Sequence, residues 1–180
     1  MHANPSETIT RLEALLQASK KQSSDWETNP LFSEYFEQPV RFITYTGIKD
    51  LSKIKTKSYL LRGVDPDRER IQIAKLHILF AFPKEKMPDV KPYVKIRPAV
   101  KAQNLQQLED PNERFHVDDE LLQQAQQDKS NVNLVTRTGH VLNGCILHFD
   151  KYILYMQIGG QLVVVYRHGL FEFTIPEQED

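Results

Sequence analysis

The apolar positions of this chain change period more than once, and the changes mark out its organisation. From Ser6 to Lys21, Ile9, Leu12, Leu15 and Leu16 recur at helical spacing behind Asn4, Pro5 and Ser6, which predicts a short amphipathic helix. The polar run 20–24 reads as a linker. Asn29-Pro30, a capping residue followed by proline at the first helical position, opens a second short helix with Leu31, Phe32, Tyr35 and Phe36 on one face, ending before Pro39. Beyond it the period becomes two. Val40, Phe42 and Thr44 alternate up to Gly47 as in a half-buried strand, Lys53 to Val64 is a second strand candidate, and the turn Asp65-Pro66-Asp67 leads into a long apolar strand from Ile71 to Phe82. Pro83, Pro88 and Pro92 break the chain, and Tyr93 to Arg97 forms a last short strand before Pro98.

The order then repeats. Residues 103–114 are Gln-rich and acidic and read as a linker. Asp118 caps a helix with Asp119 and Glu120 in its first turn and Leu121, Leu122 and Ala125 on one face. Five strand segments follow: Val132 to Thr136, His140 to Phe149 with Gly144 inside it, Tyr152 to Ile158, Gln161 to Tyr166 across the Gly159-Gly160 turn, and Leu170 to Ile175. A helix followed by strands at 29–97 and again at 118–175 predicts a diverged tandem duplication. The fold class is mainly β. Five short, bent strands after a helix make a small barrel, which physics alone allows to be SH3-like, OB or Sm-like. The expected organisation is a helix and linker over 1–24, a first barrel over 25–101, an acidic Gln-rich linker over 102–117 and a second barrel with an acidic tail over 118–180.

Composition narrows the class. With 40% apolar and 26% charged residues the chain is an ordinary globular protein, and its single cysteine, Cys145, excludes an intramolecular disulfide and a multi-cysteine zinc site. No stretch has the apolar length of a membrane span, and the N-terminus lacks the basic and apolar regions of a secretory signal, so the expected location is cytoplasmic. The net charge of -1 conceals a strong asymmetry: residues 38–101 hold 15 basic and 6 acidic side chains, whereas 102–128 hold 1 and 7. A basic block between acidic flanks attracts polyanions.

One constellation of residues goes further. The order helix, Val132-x-Leu134, Gly139, Leu142-x-Gly144-x-Ile146-x-x-Phe149-Asp150-x-Tyr152-x-Leu154 and then Tyr166-Arg167-His168-Gly169 resembles Hfq, the bacterial Sm-like RNA chaperone family, whose signature at the last position is Tyr-Lys-His-Ala. The resemblance covers about 119–176. A fainter version, Asn29-Pro30-Leu31-Phe32 with Pro39-Val40 and Gly47, supports a first copy, in which only Tyr93-Val94-Lys95-Ile96-Arg97 stands for the signature. The resemblance implies two tandem Sm-like barrels, a ring-shaped oligomer of three chains (both copies in the ring) or six (only the second), and a pore lined by Lys151, Tyr152, Arg167 and His168 that holds single-stranded, uridine-rich RNA. Such a protein acts as an RNA chaperone or post-transcriptional regulator.

The chemistry fits locally. Tyr152 offers a ring for base stacking, Lys151 and Arg167 offer charge to phosphates, and His168 offers a hydrogen bond to a base or sugar. The sequence departs from the family at its two other RNA surfaces, with Gln126-Gln127-Asp128-Lys129 where the rim is Arg-rich, and Val135 and Val141 where the opposite face has an aromatic and a lysine. Lys53, Lys55, Lys57 and Arg62 of the first copy are candidates to supply the missing charge, against the ordinary reading of a solvated strand face.

The alternative function is an Sm-fold scaffold that binds a protein partner and has lost RNA. No enzyme is expected. The six histidines show no metal-ligand spacing, no phosphate-cradling glycine loop is present, Cys145 sits in an apolar strand, and Asp150 beside His148 reads as a turn aspartate; no cofactor or metal is implied.

Overall fold

A computed structural model describes residues 37–176, together with Thr10 and Ala14. The helix expected from Ser6 to Lys21 lies outside the described residues apart from those two helical positions, and the one opening at Asn29-Pro30 lies outside them too.

The described chain is mainly β. Strands β1 (Val40–Thr44), β2 (Gly47–Thr56), β3 (Leu60–Val64), β4 (Arg70–Ala74) and β5 (Ile78–Pro83) make a first unit. A connecting segment follows with helix α1 (Met87–Val90), strand β6 (Val94–Ile96) and helix α2 (Pro98–Lys101). Helix α3 (Asp119–Gln127) then leads into β7 (Asn131–Thr136), β8 (His140–Phe149), β9 (Ile153–Ile158), β10 (Gln161–Tyr166) and β11 (Leu170–Thr174). All pairings are antiparallel, in the order β11-β7-β8-β9-β10-β5-β1-β2-β3-β4, with β6 off this path on β8.

That order is one permutation written twice. In each unit the fifth strand lies beside the first, and the second, third and fourth follow. The registers repeat as well: Leu60 faces Ala74 across β3 and β4 as Ile153 faces Tyr166 across β9 and β10. The same strand arrangement therefore occurs twice in the described chain. The two units join where the fourth strand of the second, β10, pairs with the fifth strand of the first, β5, through Val164↔Ala81 and Val165↔Phe80.

Local chemistry explains the shared turns. In the β1–β2 turn the Thr44 hydroxyl donates to the Gly47 carbonyl at 2.7 Å and accepts from the Thr46 N–H at 3.3 Å. In the β7–β8 turn the Thr136 hydroxyl accepts from the His140 N–H at 3.0 Å and lies 3.1 Å from the Thr138 hydroxyl. Threonines two apart fold both turns through their own side chains. Gly144 sits where β8 runs so close to β9 that a Cβ would overlap the Gln157 carbonyl oxygen, which is why the long, bent strand carries glycine there.

Three expectations need correction. The strand expected from Lys53 to Val64 is two strands, reversed at Lys57–Leu60, where the Lys57 N–H donates to the Leu60 carbonyl at 2.8 Å and the Leu60 N–H returns to the Lys57 carbonyl at 3.3 Å. The strand expected from Ile71 to Phe82 is broken by a 3-10 turn at Lys75–His77. Tyr93–Arg97 does not close the first unit, which β5 closes; its central residues form β6 and pair with β8 through Val94↔Leu142, Lys95↔Val141 and Ile96↔His140.

Burial fuses the units. One cluster gathers Val40, Phe42, Leu51, Leu61, Ile73, Ile78 and Ala81 of the first with Leu147, Ile153, Tyr155, Leu162, Val164 and Tyr166 of the second. The outer face of β9 and β10 thus caps the open side of the first unit's core. The other cluster fills the second unit beneath Leu122 and Ala125 of α3 and takes in Ile43, Leu79, Phe80 and Phe82 from the first. Among the described residues no helix is long and apolar enough to cross a membrane.

Candidate nucleic-acid interface

At one end of the second unit two turns meet, β8 to β9 and β10 to β11. Asp150 builds the first: its Oδ1 accepts the N–H groups of Tyr152 at 2.7 Å and Ile153 at 2.9 Å. Burial pushes the Asp150 carboxyl above the ordinary aspartate value, and these two N–H donors oppose that rise. The turn pushes Lys151 and Tyr152 outward. Tyr152 is 53% exposed, and the Lys151 Nζ lies 5.3 Å from the centre of its ring, a cation–π distance.

Arg167 binds the second turn to the first. Its backbone N–H donates to the Tyr152 carbonyl at 2.8 Å. Its guanidinium donates to the Asp150 carbonyl at 2.8 Å, the Val117 carbonyl at 3.0 Å and Asp119 Oδ1 at 2.9 Å. Only 10% of the side chain is exposed, and it ties both turns to the start of α3. His168 turns inward, with its Nε2 2.8 Å from the Ile78 carbonyl and its ring 5.5 Å from that of Tyr166. Burial is the main reason its pKa falls to about 4. The imidazole is neutral at pH 7, and because a carbonyl can only accept, Nε2 carries the proton.

The four residues singled out in the sequence thus lie together but divide in kind. Lys151 and Tyr152 face solvent, whereas Arg167 and His168 bond to the protein.

The first unit repeats the arrangement with other residues. Its equivalent turns are Lys57–Leu60 and Lys75–His77, and the Lys75 N–H donates to the Tyr59 carbonyl at 2.9 Å as Arg167 does to Tyr152. Tyr59 is 84% exposed. The counterpart of the Arg167-His168 turn is therefore Lys75–His77, and not the expected Tyr93–Arg97. Tyr59 and Lys75 are not among the residues expected from the sequence, although Thr44-x-Thr46-Gly47 and Thr136-x-Thr138-Gly139 provide matching turns from which to count.

Lys53, Lys55 and Arg62 lie on the outer face of β2 and β3, while Lys57 stands apart in the turn beside Tyr59. With Arg70 and Gln72 of β4 those three line an open groove of about 490 Å³. Cys145 lies 3.5 Å from the Lys129 carbonyl, and burial pushes its thiol up, away from the reactive thiolate.

Residues 117–179 match the family described as Hfq protein. A solved structure described as the 1.55 Å crystal structure of the pleiotropic translational regulator Hfq is similar at 23% identity, over 32% of this chain and 95% of that one, with a TM-score of 0.31. No curated protein matches the chain.

Proposed function

We propose that this chain, whose residues 117–179 match the Hfq family, is a non-enzymatic, cytoplasmic RNA-binding protein. It takes single-stranded, uridine-rich RNA at the turn end of its second unit and serves as an RNA chaperone or post-transcriptional regulator. The observation that carries this reading is Tyr152, an exposed ring beneath the Lys151 ammonium on a turn locked by Asp150 and Arg167. A base stacks on the ring and Lys151 meets its phosphate. Arg167 acts as a positioning residue, since its donors are directed at the protein, and His168 orders the junction with β5.

Binding of a labelled oligouridine, followed by fluorescence anisotropy, tests this. Tyr152→Ala is expected to cost about 1–3 kcal/mol, the range for one stacked base, and Lys151→Ala to make the salt dependence shallower by about 0.7 log units per tenfold salt. Affinity unchanged by both variants rejects the site.

The inward commitment of Arg167 and His168 favours a second reading, an Sm-fold scaffold for a protein partner. Purified protein free of nucleic acid absorbance and accompanied by a stable partner would support it.

On assembly, β5 occupies the β10 edge within the chain. A ring closed by strand pairing between chains would join β4 to β11 and hold three chains, not six, because a ring of second units alone needs that β10 edge. The polar outer face of β3 and β4 weighs against such closure. Light scattering decides between one and three times 21.0 kDa.

A further inference from the structure

Matching the two units by their strand registers shows what has become of the surface that joins them. In the second unit His148, Tyr155 and Val164 form a row across β8, β9 and β10, and the row continues into the first unit at Ala81. The same row in the first unit is Lys55, Arg62 and Gln72, and it stops at the free β4 edge. The neighbouring rows agree. Gln157 and Leu162 correspond to Val64 and Arg70, and Ile153 and Tyr166 to Leu60 and Ala74. Where the second unit has Tyr155, Leu162 and Val164, all buried in the junction, the first has exposed Arg62, Arg70 and Gln72.

Two consequences follow. Placed against a second unit of another chain as β9 and β10 lie against the first, this face would press Arg62 and Arg70 onto apolar side chains, and unpaired buried charge is strongly unfavourable. The face has instead gained a cation field. The irregular register between Ser52 and Lys55, with Lys53 at a φ of 51°, keeps Lys53 and Lys55 on the same groove as Arg62 and Arg70. Among the described residues none of the four is ion-paired with a carboxylate. Of the nearest acids in sequence, Asp50 is held by Arg41 at 2.8 Å and Lys84 at 3.1 Å, and Asp65, Asp67 and Glu69 belong to the turn at the strand ends, where Asp65 Oδ1 accepts the Glu69 N–H at 2.8 Å.

We infer that the outer face of β2, β3 and β4 is a second RNA-contact surface, on which Lys53, Lys55, Arg62 and Arg70 hold the phosphate backbone of a single strand. This rests on the RNA-binding reading and extends it to the first unit. The face has four cations and no exposed aromatic ring among its lining residues. It therefore binds phosphates without selecting bases, leaving stacking to the turn end.

The test is salt-dependent anisotropy of the full chain with a labelled oligouridine, comparing Arg62→Gln/Arg70→Gln with Lys151→Ala and the unaltered protein. Loss of two phosphate contacts makes the slope of log Kd against log salt shallower by about 1.4 and weakens binding roughly 25-fold at 0.1 M salt, a difference that closes towards 1 M. Thermal unfolding of this variant is expected to match that of the unaltered protein, since both arginines are exposed. Unchanged slope and affinity, with Lys151→Ala still weakening binding, would overturn this inference and leave the turn-end site standing. A shallower slope in the arginine variant with no effect of Lys151→Ala or Tyr152→Ala would uphold it and reject the turn end. Two results would assign the face to a protein and so overturn the inference. One is an altered particle mass without RNA and an unaltered slope, which indicates a second copy; the other is competition by polyglutamate as effective as by oligouridine, which indicates an acidic protein.

Discussion

The backbone N–H of Arg167 donates to the Tyr152 carbonyl at 2.8 Å, and the bond has its twin in the first unit, from Lys75 to Tyr59 at 2.9 Å. It fixes the turn carrying the exposed ring relative to the turn carrying the basic signature. In the second unit the Arg167 side chain strengthens the lock by binding Asp150, Val117 and Asp119. The basic residue most readily taken for an RNA ligand is therefore the one that builds the site.

Arg167→Ala is accordingly expected to act on stability first. It leaves the part-buried carbonyls of Asp150 and Val117 without their charged donor, which costs about 2–3 kcal/mol. The pair with Asp119, whose side chain is 67% exposed, adds little. Urea denaturation should show the loss. A variant as stable as the unaltered protein yet defective in RNA binding would instead make Arg167 a direct ligand.

His168 makes stability depend on pH. Its folded pKa of about 4 lies below the ordinary 6.5 because burial disfavours the charged ring; the Ile78 carbonyl opposes that shift, and Arg114 and His77 nearby add to it. Above 6.5 the imidazole is neutral in both states and its full contribution is present. As pH falls from about 6.5 to 4 the unfolded chain takes up the proton and the folded one does not, so stability is lost across that window. His140, also depressed by burial, acts in the same direction. Between pH 7 and pH 5 the His168 share is roughly 2 kcal/mol. His168→Gln, which keeps a donor for Ile78, should flatten the difference in urea midpoint between those two pH values. An unchanged pH dependence in this variant would refute the assignment.

The second unit was legible because its punctuation is glycine: Gly144 in the bend and Gly159-Gly160 in the hairpin mark strands by backbone need alone. The first unit hides its turns. Lys57–Leu60 contains no Gly, Pro, Asn or Asp, so alternating lysines ran through it as one strand, and Leu76 between Ile73 and Ile78 disguised the 3-10 turn at Lys75–His77 as apolar continuity. Alternation predicts a strand at Tyr93–Arg97 but does not choose its partner, since Leu142, Val141 and His140 of β8 lie far along the chain, in the second unit. The candidate site shows the same division. Lys151, Tyr152, Arg167 and His168 come from a local motif that resembles the Hfq family, whereas the inward roles of Arg167 and His168 depend on Val117, Asp119 and Ile78, brought from distant parts of the chain.

Gly144→Ala tests the bend. Its methyl group would overlap the Gln157 carbonyl oxygen, a backbone atom paired in the β8–β9 ladder that cannot swing aside as a side chain can. Overpacking at such a point costs about 1–3 kcal/mol, and faster amide exchange in β8 and β9 should accompany the loss of stability. Gly160→Ala makes a useful contrast. No atom lies within 4 Å of a Cβ there, and only its φ of 75° opposes the substitution. It should therefore be the milder change.

The face of β3 and β4 permits a constructive test of the duplicated junction. If Tyr155, Leu162 and Val164 hold the two units together because they are apolar, giving the first unit the same residues should create the same adhesive surface on its exposed side. The substitutions are Arg62→Tyr, Arg70→Leu and Gln72→Val. A face complementary to a different surface of the same molecule makes head-to-tail contacts, which close into rings when the rotation allows and otherwise run on as filaments. The triple variant is therefore expected to gain mass with concentration in light scattering, while the unaltered chain keeps its solubilising cations on that edge. Folded triple variant at the same mass as the unaltered protein would show that apolar character at these three positions is not enough to make the junction, and that the strand pairing of Val164 with Ala81 and Val165 with Phe80 depends on the two units being joined in one chain.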